Sequence, residues 1–179
     1  MSAEEREIHK GVEALAQHMS GDVEQQVRVA IDKILIEGES MKDLLGLNEQ
    51  VVEGIYGQAY RLYNAGKYKE ASQLFRLLVV LNGTEAKYSM GLAACFHMMK
   101  EYLTAAELYN VSGLLDPHAP TPYFHASDCY LAVNDKASAI IALDMAVKRA
   151  GTREAYSQLK DRAIMTMAKL KEELFAPKV

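Results

Sequence analysis

Cysteine is nearly missing from this chain of 179 residues, with only Cys95 and Cys129 present. A disulfide framework or a thiolate metal centre would need more of them or a closer pair. Proline is almost as scarce. Pro117, Pro120 and Pro122 share one short segment, and the fourth is Pro177, so long helices can form on both sides of that segment. There is no excess of positive charge. The formal net charge is -4, with acidic and basic side chains mixed along the chain, which gives no reason to expect a nucleic-acid partner. No apolar run approaches the roughly 20 residues that span a bilayer. Residues 1–10 alternate charges and lack the apolar core of a secretory signal. The expectation is a cytoplasmic protein with no direct membrane association. In bulk composition the chain is ordinary for a soluble globular protein, 50% hydrophobic and 25% charged.

What the chain does have is an internal repeat. Ala71, Ala105 and Ala139 are spaced 34 residues apart. In the same register Ala59, Ala93 and Ser127 align, as do Leu62, Phe96 and Tyr130. So do Phe75, Tyr109 and Leu143, and then Leu78, Ser112 and Ala146. The units are 52–85, 86–119 and 120–153, each reading as two helices. In the first unit one helix stops at Asn64-Ala65-Gly66, where glycine can take a left-handed turn without steric penalty. Leu81-Asn82-Gly83 and the segment from Leu115-Asp116-Pro117 to Pro122 break the chain between units. The small residues Ala59, Ala93, Ala71 and Ala105 let paired helix backbones approach, and Leu62, Phe75, Phe96 and Tyr109 fill the space around that contact. This spacing and small/large pattern match a tetratricopeptide repeat. The fold class expected is therefore all-α, a superhelix of three helical hairpins with flanking helices at both ends. The repeats degrade unevenly: Gly66 becomes Lys100 and then Asn134, and the aromatic Tyr68 and Tyr102 become Lys136, expected near an exposed edge.

A terminal repeat cannot leave its apolar side bare, so helical caps are expected. In residues 154–179 a capping helix and tail are expected, with Tyr156, Leu159, Ile164, Met167, Leu170 and Leu174 at roughly helical spacing. In the N-terminal region, 1–51, Val23, Val27, Ile31, Ile34 and Leu35 make a stripe outside the repeat register. It either docks on the first repeat or meets its copy in a second subunit.

One face of each unit's first helix is offset from the seam. It carries Tyr56, Tyr60 and Tyr63 in unit one, Met90, Ala94 and His97 in unit two, and Phe124, Asp128 and Leu131 in unit three. Stacked units would line an inner surface with these residues. Tyrosine offers rigid area with a polar tip and methionine an adaptable thioether, both suited to an extended apolar peptide. The competing reading is that they pack against one another or a flanking helix. An enzyme is not expected: His97, His118 and His125 form no recognised zinc signature with carboxylates, and no nucleophile motif or ATP-binding loop is present. Cys95 and Cys129 occupy equivalent positions of two units, which repeat architecture explains better than catalysis. No cofactor and no metal are expected.

Several stretches carry a closer likeness. Met41-Lys42-Asp43 through Gly46, Ile55-Tyr56-Gly57-Gln58-Ala59-Tyr60 and Tyr63-Asn64-Ala65-Gly66 resemble the opening of the class II chaperones of bacterial type III secretion. The likeness continues through Phe75-Arg76, Tyr88-Ser89-Met90-Gly91-Leu92-Ala93-Ala94 and Pro122-Tyr123-Phe124-His125-Ala126, and covers roughly residues 23 to 165. The resemblance implies a bacterial cytoplasmic chaperone that keeps hydrophobic translocator proteins soluble and export-competent. It implies a groove taking an extended N-terminal segment of the translocator, with Tyr56, Tyr60, Tyr63, Met90, His97 and Phe124 at the matching positions. It also implies a homodimer formed through the N-terminal helical region, which would employ Val23, Val27, Ile31, Ile34 and Leu35. The alternative is a general tetratricopeptide-repeat scaffold for another protein partner.

Overall fold

The computed structural model describes Gln25, Val29, Ala30, Lys33, Ile34 and residues 38 to 175. The chain divides into two units, Met1–Asn48 and Glu49–Val179. In the first unit Gln25, Val29, Ala30, Lys33 and Ile34 have helical backbone. Gly38 turns the chain at φ 71°, and a short helix α1 (Met41–Leu44) follows. Its start is a capping box: the Asp43 amide donates to Ser40 Oγ, and the Ser40 amide donates to the Asp43 carboxylate, each at 3.3 Å. Ile34, Met41, Leu44 and Leu45 help to line an open hollow of this unit, about 730 Å³ in volume. Val23, Val27, Ile31 and Leu35, expected on the same stripe as Ile34, lie outside the described residues.

The second unit is built of helical hairpins. They are α2 (Glu49–Asn64) with α3 (Tyr68–Leu81), α4 (Ala86–Met98) with α5 (Tyr102–Leu115), and α6 (Thr121–Ala132) with α7 (Lys136–Ala150). A turn of 3-10 helix, Glu154–Tyr156, leads into α8 (Ser157–Phe175). Each helix packs on the next in sequence. The expected all-α stack of hairpins is therefore the observed one.

Four of the five 34-residue columns are its core, while Leu62 and Tyr130 of the remaining one are half-buried. Ala59, Ala93, Ala71, Ala105 and Ala139 are wholly buried, and Ser127, Phe75, Tyr109, Leu143, Leu78, Ser112 and Ala146 are buried beside them. Ser112, the polar member of its column, donates its hydroxyl to the Ala86 carbonyl at 3.0 Å, linking α5 to the start of α4. That satisfies a group whose burial would otherwise be costly. Two glycines admit large rings. A Cβ on Gly91 would lie 2.3 Å from the Phe75 ring, and one on Gly113 would lie 2.6 Å from the Tyr123 ring.

Each first helix ends alike. Gly66, Lys100 and Asn134 all adopt positive φ, at 75°, 64° and 59°. In every case the following amide reaches back to the same carbonyl: Lys67 to Leu62, Glu101 to Phe96 and Asp135 to Tyr130, each at 2.9 Å. This is the 6→1 hydrogen bond of a left-handed helix stop. The geometry is thus retained where glycine is lost. Asn tolerates it readily, and Lys carries the strain.

α8 covers the last hairpin. Ala163 and Leu170 of α8 bury against Ala139 and Leu143 of α7, with Phe124, Tyr130, Leu131 and Met167 packed around them. The inward stripe differs from the expected one: Ile164 and Leu174 are exposed, at 41% and 45%. Residue 164 is rotated about 100° from residue 163 on a helix, so a small buried alanine, not the isoleucine, faces α7. Lys136 is half-buried, because its ammonium reaches Glu173 of α8 at 2.8 Å. Tyr68 and Tyr102, its counterparts, instead pack edge-on against Tyr63 and His97.

Candidate groove on the first helices

The spacing of Tyr56, Tyr60 and Tyr63 puts them on one face of α2, and α4 brings Met90 and Ala94 opposite. Together with Phe75, Lys87 and Gly91 they enclose a cavity of about 200 Å³. Phe75, placed in the seam by its repeat column, serves as a wall because Gly91 leaves room for its ring. Tyr56 is held edge-on to Phe75 with ring centroids 6.0 Å apart, and tilted against buried Tyr88 at 5.9 Å. Tyr60 stands at the open side, 54% exposed. Half-buried Tyr63 rests edge-on against Tyr68 at 5.4 Å, and burial raises its phenol pKa. The walls are overwhelmingly apolar.

Among the described residues Lys87 is the one cation at this cavity. Its ammonium pairs with Glu53, lies 5.0 Å from the centre of the Tyr56 ring, and has its pKa raised chiefly by that bond to Glu53. Glu53 and Lys87 are 34 residues apart, so the pair ties equivalent positions of adjacent hairpins. Sequence reasoning missed Lys87. Its opposite charge to Glu53 in the repeat register was the available signal.

The other two expected groove residues lie outside this cavity. His97 is one turn beyond Ala94 on α4 and faces Tyr102 and Tyr109, with its Nδ1 3.5 Å from the Tyr109 hydroxyl. Phe124 is half-buried in the cluster between α6, α7 and α8, under the guanidinium of Arg162 at 5.2 Å. It is not at the cavity.

A polar group follows His97. The His125 ring stacks on Tyr109 at 5.3 Å, and its Nδ1 is 4.0 Å from the Asp128 carboxylate. Burial lowers the His125 pKa and raises those of Asp128 and Tyr109. Cys95 and Cys129 are fully buried, and burial pushes both thiols up to about 11, which disfavours the thiolate a nucleophile requires. Among the described residues no group of three or more His, Cys, Asp or Glu side chains is placed to hold a metal ion. No described helix is long and apolar enough to cross a membrane.

The tetratricopeptide repeat family profile matches residues 52–82 and 87–117. Chaperone protein SicA of Salmonella typhimurium is 33% identical over 116 residues, covering 65% of this chain and 70% of SicA. A type III secretion system complex from Aeromonas hydrophila holds a chain with TM-score 0.77 and 26% identity, covering 82% of this chain and 98% of that one. The Yersinia enterocolitica type III secretion chaperone SycD, solved with a peptide of the translocator YopD, gives TM-score 0.67 and 27% identity over 71% of this chain and 97% of SycD. The repeat register, the stacked hairpins and these likenesses agree, and the chain belongs to the family of tetratricopeptide-repeat type III secretion chaperones that includes SicA and SycD.

Proposed function

We propose that this chain is a chaperone that holds an extended apolar segment of a type III secretion translocator in the groove of its first helices, keeping it soluble until export. The observation that carries the reading is the cavity walled by Tyr56, Tyr60, Tyr63, Phe75 and Met90. Its 200 Å³ suits one large apolar side chain, since an apolar cavity of about 150 Å³ accepts a benzene-sized group. Burying such an anchor contributes about 1.5–3 kcal/mol, reduced by the ordering of the bound segment. Modest affinity per anchor is useful here, because an export machine must strip the cargo. The SycD structure with a YopD peptide supports the assignment of cargo class.

Tyr60, exposed at the cavity mouth, is the residue to test. Tyr60→Ala is expected to weaken binding of a translocator N-terminal peptide at least several-fold by calorimetric titration, with helicity unchanged. Equal affinity in the variant would remove this cavity from the cargo site.

The same reading divides the chain into an N-terminal dimerisation region (1–51), three repeats (52–85, 86–119 and 120–153) and a C-terminal capping helix with its tail (154–179). The N-terminal stripe, of which Ile34 is the described member, is the proposed contact between two copies.

A further inference from the structure

The groove reading above accounts for the apolar cavity but leaves the polar group beyond it without a role. Asp128 stands on α6 at the register position that Tyr60 holds on α2 and Ala94 on α4. Among the described residues its carboxylate has no lysine or arginine within ion-pair distance; its one close partner is His125 Nδ1, at 4.0 Å. That imidazole carries charge only when protonated, and burial holds its pKa low. Arg162 lends positive potential from α8, but its guanidinium lies over the Phe124 ring and makes no ion pair with Asp128. Glu53, the carboxylate at the other end of the face, is already paired with Lys87. Asp128 is therefore an anion with little local compensation, yet its side chain is 46% exposed and open to a ligand.

The surroundings select the ligand's chemistry. The half-buried rings of His125 and His97 stand beside the carboxylate, both resting on the buried Tyr109 ring. The flat sides of such rings can take the apolar stem of a lysine or arginine while its charged head meets the carboxylate. An acidic side chain would meet an unpaired carboxylate, and an apolar one would strip water from it without return. We infer that the groove has a second subsite, centred on Asp128 and walled by His97 and His125, which takes a lysine or arginine of the bound segment and so fixes its register.

Helix dimensions set the scale of the separation. From Ala94 at the cavity to His97 is one helical turn, about 5 Å, and crossing to the first helix of the next unit adds a distance on the order of one interhelical spacing, roughly 8–10 Å. An extended chain covers that path in about three residues. The subsite thus reads a basic residue about three positions from the apolar anchor, a specificity device within the proposed cargo site.

The test uses the full chain and a panel of 12-residue synthetic peptides with a leucine anchor. Each carries a single lysine, norleucine or glutamate three or four residues to either side, and affinities are measured by fluorescence polarisation. The lysine peptide is expected to bind at least fivefold tighter than the norleucine peptide, and the glutamate peptide weakest. Asp128→Asn, close to isosteric, should erase that preference while leaving the norleucine affinity within twofold, and Asp128→Lys should reverse it towards glutamate. Circular dichroism checks that both variants keep native helicity. Equal binding of lysine and norleucine peptides by the unmodified chain, with both weakened by Tyr60→Ala, would overturn the subsite and leave the groove standing. A lysine preference that survives Asp128→Asn would also overturn it. If no peptide binds, the groove reading and the subsite fall together.

Discussion

Lys100 holds a left-handed backbone that glycine would adopt freely, at the helix stop where the first unit has Gly66. The strain of a side chain there is on the order of 1 kcal/mol, partly offset by the greater freedom glycine would have in the unfolded chain. Lys100→Gly is expected to stabilise the protein by about 0.5 kcal/mol in urea unfolding; a loss of stability would show that the lysine has another role. Gly91→Ala should act oppositely, costing about 1–3 kcal/mol, because its methyl would collide with a packed Phe75 ring. His125 gives a pH signature. Burial lowers its pKa below 6.5 in the folded state, so below that value the unfolded chain takes up more protons and the fold loses stability. The melting temperature should fall as pH drops below 6.5, and His125→Gln should flatten that limb. Asp128, whose pKa is raised, acts in the opposite sense at lower pH, where protonating it relieves the fold.

Among the helices, α8 decides what the end of the stack is made of. Its inward line is Ala163 and Leu170 with Met167, so Leu170→Ala should cost about 2–4 kcal/mol and Ile164→Ala less than about 1 kcal/mol in denaturant unfolding. Equal costs would mean that the stripe is misplaced. The contrast shows where legibility ran out. The hairpins could be read because a fixed stride repeats the same volume constraint: Ala71, Ala105 and Ala139 each face a closely approaching backbone. α8 stands outside that stride, and apolar residues on several of its faces left its rotation open. Phe124 is set apart from this cavity for a related reason. Its register position matches Tyr56 and Met90, but α8 packs over it where a further hairpin would leave the face open. The cavity around Tyr56 and Tyr60, between two units that share the stride, was legible.

At the scale of the whole molecule, the proposed assembly rests on the N-terminal unit. If the stripe containing Ile34 joins two copies, Ile34→Asp should shift the protein from dimer to monomer in light scattering at micromolar concentration, with the helical signal of the repeats retained. An unchanged mass would exclude this stripe as the contact. The tetratricopeptide architecture itself followed from composition and stride. The partner class required the family likeness, since many stacks of this kind differ only in what lines their inner face.

Phe75 is both a wall of the cavity and the ring wedged over Gly91 between the first two hairpins. Anything lodged in that space also braces the joint. A loaded chaperone should accordingly melt higher by mass action, and proteases should nick the Leu81–Ala86 connection more slowly. Cargo and carrier would shield each other.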